Sequence, residues 1–357
     1  MHFGLNEDQT MLQDSVGRYL EGASELSLVR KFVDGDPALA ADLQSGLMDL
    51  GVPFVLMPAE QGGLGMGVLE AALIQEALGR NVSPSPFTAA YGMAVMALRT
   101  CGDSDWLGRI ASGEVVMGVG ATEAIGAREG AGLTLSGDKV SGRASFVMGA
   151  EAATHFLLTT GEQLLIVERG SAGVEEVALT TIDKTRHVVN LDLDGATAHL
   201  LAGNNHGEAQ SKMIDTGRVL LAADTLGAAS QMLEKAVAYS KDREQFNRPI
   251  GSFQAVKHMC AEMAAKLEPC RSLVWYAAYA QENVPEEAGL TSRLAKSHVS
   301  EIGKFVARTS TEVHGGMGFT DLLGLHYWFK RIGANRQLLG GPQVLREEAA
   351  QLQGWVA

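Results

Sequence analysis

Apolar residues recur at helical spacing along the first third of the chain. Leu12, Val16, Tyr19 and Leu20 share one face, as do Leu39, Leu43, Leu47 and Leu50, and a further helix is expected over 69–79. Gly51 and Pro53 break the pattern, a Gly-rich loop follows over 57–65, and Pro84 and Pro86 mark an extended turn. From Glu114 the period changes. Segments 115–121, 139–144, 155–160, 163–168 and 187–193 are short and alternating, with turn signals at 136–138, 160–162 and 194–195. Such spacing predicts a compact β-barrel or sandwich. Helical spacing then returns in long segments, 213–241, 253–282, 287–317 and 342–353, with Pro249 and Pro285 in the breaks. The chain therefore reads as α+β, mainly α, in three parts: 1–112 helical, 113–205 β and 206–357 helical.

Composition narrows the class of protein more than its chemistry. At 357 residues the chain exceeds one core of usual size, and 46% apolar with 20% charged residues is an ordinary globular balance. The formal charge of −13 disfavours phosphate backbones and anionic lipid, so neither nucleic acid nor a membrane surface is an expected partner. Cys101, Cys260 and Cys270 make no disulfide framework and no metal spacing. The N-terminus carries no signal-peptide pattern and no apolar run spans a bilayer, which points to a cytoplasmic protein. The nine histidines pair with nothing at metal-ligand spacing, and no GxGxxG, P-loop, HExxH or GxSxG context is present.

The informative stretch runs from Tyr239 to His258. A helix ends near Arg243, the chain turns through Phe246 and Pro249, and a second helix opens with Phe253 and Gln254 in its first turn. That arrangement brings an arginine and free backbone N–H groups to one place, where a pyrophosphate would fit. Read without further context, it is equally a helical hairpin with a solvated arginine. The stretch resembles the RxQFxxPIxxFQ signature of the acyl-CoA dehydrogenase family. Further pieces follow in that family's order: Pro58 to Gly65 with Glu76 to Arg80, the Thr122-Glu123 turn, Gly217-Arg218 to Gly227, and Glu312 to Thr320 around Gly315 and Gly316. The likeness covers nearly the whole chain.

The resemblance implies an N-terminal helical domain, a central β-domain and a C-terminal four-helix bundle, with FAD between the last two and partly at a subunit interface. It places Thr122 and Phe146 at the flavin ring, and Arg243, Phe246 and Gln254 at the FAD of a neighbouring subunit. It also places Gly315 and Gly316 at the pyrophosphate, with Gln343 near the adenosine part. The implied activity is α,β-dehydrogenation of an acyl-CoA thioester: a carboxylate takes the α-proton, the β-hydride goes to the flavin, and hydrogen bonds polarise the thioester oxygen. An electron-transfer flavoprotein is the implied acceptor.

The departures are as informative. One position where the family carries its catalytic glutamate is Leu339 here and the other is Gly217, so the catalytic base is unassigned. Asp215 lies about 200° around the helix from Gly217, and Asp224 and Asp321 read as solvated or capping carboxylates. Met148 stands where a hydroxyl usually faces the flavin, and Glu312 replaces a glutamine near the pyrophosphate. This pattern resembles the shorter subunits of heteromeric acyl-CoA dehydrogenases that act on steroid side-chain thioesters, where two unlike chains in an α2β2 assembly share each flavin site. The alternatives are a self-sufficient homotetramer, a flavin monooxygenase on the same fold, and a structural subunit without catalysis.

Overall fold

Asn6 opens the first helix. Its side chain accepts from Gln9 N at 2.8 Å while Gln9 Oε1 accepts from Asn6 N at 3.0 Å, a reciprocal capping box. The computed structural model describes residues 4–121, 124–126 and 130–356. Helices α1 (Glu7–Ala23), α2 (Leu26–Val33), α3 (Ala38–Asp49), α4 (Val68–Arg80), α5 (Ala94–Cys101) and α6 (Ser104–Ala111) form the N-terminal part. A π-helical turn, Thr88–Met93, precedes α5 without a break. The sequence pattern marks α1, α3 and α4. It misses α2, α5 and α6, which are too short to show several turns of a periodic face.

The middle of the chain is a barrel. Strands β1 (Met117–Gly120), β2 (Gly132–Ser136), β3 (Lys139–Met148), β4 (His155–Thr159), β5 (Leu164–Glu168), β6 (Val174–Ala178) and β7 (Val188–Leu200) run in the order β2-β3-β1-β4-β5-β7-β6. An additional β3–β7 pairing joins the sheet back on itself, so β3, β1, β4, β5 and β7 make a closed ring. Phe156, Leu158, Leu165, Val167 and Leu191 fill the interior. The intervening Leu157 and Ile166 join the helical core instead. With both faces covered, β4 is apolar throughout. Strands β2 and β6, unmarked by the pattern, are edges whose polar residues face outward.

The C-terminal part packs α7 (His206–Asp242), α8 (Gln254–Asn283), α9 (Pro285–His314) and α10 (Leu325–Gln337) together, with α11 (Pro342–Leu352) against α9. Residues 213–229 of α7 are buried around the whole circumference, because α4 covers one side and α9 another. A Cβ at Gly79 would strike the Asp224 backbone, and one at Gly227 the Glu76 carbonyl, so these glycines set how closely α4 and α7 approach. Helix α9 stops at His314, short of the expected 317, because Gly315 takes φ 58° and ψ −140°. The chain then makes a 3-10 turn. The sequence pattern misses α10 because its buried face carries Arg331 and Asn335.

Candidate active site

A cavity of ≈ 650 Å³ lies where the barrel meets the last helices. Phe146, Met148 and Val188 form its barrel wall, the 181–186 loop one edge, and residues 333–344 the opposite wall. Phe146 reaches it by a bulge. Ala144 pairs with Leu191 but Val147 with Val189, so β3 carries one residue more than β7 across this interval. Phe146 absorbs it at φ 55°. A non-glycine residue is seldom held in the left-handed region; here the result is an aromatic ring on the cavity wall. Its backbone N–H donates to Asn190 Oδ1 at 3.1 Å.

Across the cavity, α10 ends at Gln337, Leu338 caps it, and the chain turns through Leu339 and Gly340 at φ 56° and 104°. Gly341 caps α11, whose first residue is Pro342, and Gln343 follows on the cavity wall. Arg218 Nε donates to the Leu339 carbonyl at 3.1 Å. Lys296, fully buried, donates Nζ to Asn335 O at 2.6 Å. Desolvation, then the nearby Arg218, Arg336 and Arg186 charges, pull the Lys296 ammonium down to about 7. Arg218 and Lys296, both buried, thus hold the carbonyls that shape this wall.

The two positions noted for a base meet in space. A Cβ on Gly217 would lie 2.5 Å from Leu339 Cδ1 and 2.7 Å from Met93 Sδ. One apolar contact therefore fills the spot that both positions address, and Leu339 is buried in it. The other carboxylates are engaged elsewhere. Asp215 Oδ1 accepts from Ser292 Oγ at 2.8 Å and Arg293 Nη1 at 3.1 Å, beside a separate cavity. Burial raises its pKa against the lowering pull of Arg293 and Arg218. Asp224 is 0% exposed and binds Arg331 through Nε at 2.9 Å and Nη2 at 2.8 Å, Gln75 at 2.7 Å and Asn335 at 2.6 Å. Burial alone would raise its carboxyl, but the Arg331 guanidinium and its neighbours bring it to about 2. Asp321 is exposed and pairs with Arg30 at 3.7 Å. Among the described residues lining the main cavity, Asp183 is the one carboxylate. It accepts from Thr185 N at 2.9 Å and from Arg186 Nε and Nη2 at 3.0 and 2.9 Å.

The other expected contacts gather elsewhere. Strands β8 (Glu244–Gln245) and β9 (Arg248–Pro249) make a hairpin whose two turn residues, Phe246 and Asn247, have φ 54° and 62°. Phe246 is 87% exposed and meets Phe253 edge-on at 6.0 Å, and the Arg248 guanidinium covers Phe253 at 4.0 Å. Arg243 and Gln254 are exposed beside it. Tyr239 and His314 rings, 4.5 Å apart, tie this end of α7 to Gly315 and Gly316, where added Cβ atoms would meet nothing within 4 Å. Glu312 lies along the outer face of α9 in a groove with Arg308. From Gly217 to Arg243 the helix rises about 39 Å at 1.5 Å per residue. One copy of the chain therefore brings Phe146 and Gln343 together at one end and Arg243, Phe246, Gln254, Gly315 and Gly316 together at the other. Thr122 lies outside the described residues, as do Glu123, Arg128 and Glu129.

The sequence reading missed Asp183, Arg186 and Gln337 on the cavity wall. Asp183 and Arg186 sit in a polar loop between strands, where no periodicity singles them out. Among the described residues no cluster of His, Cys, Asp and Glu suits a metal ion, and no helix is long and apolar enough to cross a membrane.

Comparison with known proteins decides the family. Residues 6–114 match the model of the acyl-CoA dehydrogenase N-terminal domain and 205–352 that of the C-terminal domain. Acyl-CoA dehydrogenase IpdE2 of Mycobacterium tuberculosis is 32% identical over 344 residues, covering 95% of this chain and 96% of that protein. The chain belongs to the acyl-CoA dehydrogenase family. IpdE2 of Mycolicibacterium smegmatis is 29% identical over 99% of the chain and 100% of its own length. A solved structure described as the Tcur3481-Tcur3483 steroid ACAD superposes with a TM-score of 0.87 at 27% identity, over 98% of each chain. The protein is thus an oxidoreductase of a family that acts on acyl-CoA with FAD.

The cavity fits a flavin ring. Phe146, Met148, Val188 and Leu338 offer it apolar walls, and Gln337 and Gln343 supply amide groups. Gly333 keeps the slot open, since a Cβ there would come within 3.3 Å of Ile182.

Proposed function

We propose that this chain is one subunit of a heteromeric, FAD-dependent acyl-CoA dehydrogenase whose proton-abstracting carboxylate comes from the partner subunit. The Leu339 side chain seated on Gly217 carries this reading: a single apolar contact fills both positions from which this chain would present a base. FAD, when bound, supplies the two-electron acceptor for the β-hydride. The chain's own residues shape and dry the cavity. Phe146 and Met148 cover it from the barrel, Arg218 and Lys296 fix the 335–341 wall, and Gln343 stands at the start of α11. Arg243, Phe246, Gln254, Gly315 and Gly316 form a second half-site, offered outward to the FAD held by a neighbouring subunit. Thr122, outside the described residues, is assigned to the same flavin by the family resemblance alone.

Bulky, steroid-derived acyl thioesters are the substrate class, in line with the steroid ACAD among the structural relatives, and an electron-transfer flavoprotein is the acceptor. The test is a visible spectrum of the purified chain, alone and co-expressed with the product of a neighbouring gene. Flavin bands bleached by an acyl-CoA in the co-expressed sample only are the expected result. Bleaching of the lone chain would show a self-sufficient site and refute the shared base.

A further inference from the structure

Among the described residues that line the main cavity, Arg186 is the one cationic side chain. Three contacts fix it from behind. Nε and Nη2 donate to Asp183 Oδ2 at 3.0 and 2.9 Å, and Nη2 also donates to Asn335 Oδ1 at 2.6 Å. Asp183 is itself locked by the Thr185 backbone and hydroxyl. Asn335 is locked by Asp224, which its amide reaches at 2.6 Å. The Nη1 end of the guanidinium makes no hydrogen bond among the described residues. Three of the five N–H donors of an arginine are spent on the scaffold, which leaves the two on Nη1 available in a side chain that lines a largely apolar cavity.

A cation fixed in an apolar cavity favours negative charge that develops there, and does so without reorganising. Taking up a hydride leaves a flavin with one extra negative charge, spread over the N1–C2=O edge of its ring. Resting on the flavin reading above, we propose that Arg186 binds the cofactor and stabilises its reduced, negatively charged form, with Asp183 setting how much of the guanidinium charge is left uncompensated. The electron count is that of the reaction itself. Two electrons and one hydrogen leave the substrate β-carbon as hydride and reside on the flavin, and the α-proton leaves on the base. Arg186 transfers nothing. Its effect is on the ratio of affinities for reduced and oxidised cofactor, which fixes the reduction potential.

The test measures the reduction potential and the dissociation constant of FAD in the flavin-loaded protein, with its partner subunit present if the lone chain is colourless. Arg186→Gln is expected to lower the reduced-to-oxidised affinity ratio about tenfold, a fall of ~30 mV for a two-electron couple. Arg186→Lys, which keeps the charge, stays within about threefold of the natural protein. Asp183→Asn moves the potential the opposite way, because it removes the counter-charge and keeps the cation. Opposite signs are the signature: a purely structural pair would lower stability in both variants and shift the potential in neither. Should Arg186→Gln fail to fold, the Asp183→Asn shift carries the test. Wild-type potentials in flavin-loaded Arg186→Gln and Asp183→Asn proteins would overturn the role of Arg186 and leave the flavin reading standing. A complex that holds no flavin would overturn both.

Discussion

The two ends of the C-terminal helices are built on opposite principles. At the cavity end, three buried carboxylates find their counter-charge within the chain: Asp224 with Arg331, Asp183 with Arg186, Asp215 with Arg218 and Arg293. At the hairpin end, Phe246 and Phe319 are 87% and 82% exposed, and two adjacent glycines present bare backbone. The first end is finished by folding. The second presents side chains and backbone that nothing among the described residues of this chain covers, as the shared site proposed above requires.

The strongest way to break the finished end is to unpair Asp224. Removing one partner of a buried, hydrogen-bonded ion pair strands the other, so Asp224→Ala or Arg331→Met should cost about 3–5 kcal/mol in urea unfolding. The same pair sets an acid limb. With the folded Asp224 carboxyl near 2 against an ordinary value of 3.8, its contribution is complete above pH 4 and is lost as pH falls toward 2. Asp224→Asn should flatten that part of the stability–pH curve.

Leu339 sharpens the contrast from the inside. Leu339→Ala leaves a cavity against Met93 and Gly217 and should cost about 2–4 kcal/mol. Turnover of the assembled enzyme should change less than threefold, because residue 339 holds no base. A larger loss of kcat with stability intact would mean that this wall takes part in the chemistry.

At the unfinished end the expected effects reverse. Phe246→Ala and Arg243→Gln touch exposed side chains, so the unfolding free energy of the isolated chain should stay within about 0.5 kcal/mol. FAD retention in the assembly should fall about tenfold or more for Arg243→Gln, the weight of a charge-assisted hydrogen bond to phosphate. Equilibrium dialysis of the complex measures it. The smallest effect belongs to Asp321→Asn, which loosens an exposed pair with Arg30 and should be nearly silent in both stability and FAD binding.

What the sequence made legible follows the same divide. Helical periodicity marks α1, α3, α4 and the long C-terminal helices because their apolar residues recur at helical spacing. Short apolar runs bounded by turn signals mark β1, β4 and β5, which are buried along most of their length. The pattern undershoots β3 and β7 and misses β2, β6 and α10, whose polar edges or buried arginine break it. The exposed Arg243–Gln254 segment was read by resemblance, since its residues pack on nothing in this chain that a periodicity would reveal. Asp183 and Arg186 were invisible: their roles come from a loop that folds back onto α10, a tertiary fact with no local signature. In the sequence Leu339 and Gly217 are two separate departures, and only the fold shows that they occupy one place.

An anaerobic titration with a steroid-derived acyl-CoA, followed by the flavin absorbance of the chain alone and of the chain with its partner, tests the shared site most directly. The account predicts that the complex bleaches on substrate addition, while the lone chain is colourless or keeps its flavin oxidised. Stoichiometric bleaching of the lone chain would contradict it, and would place the base within this polypeptide.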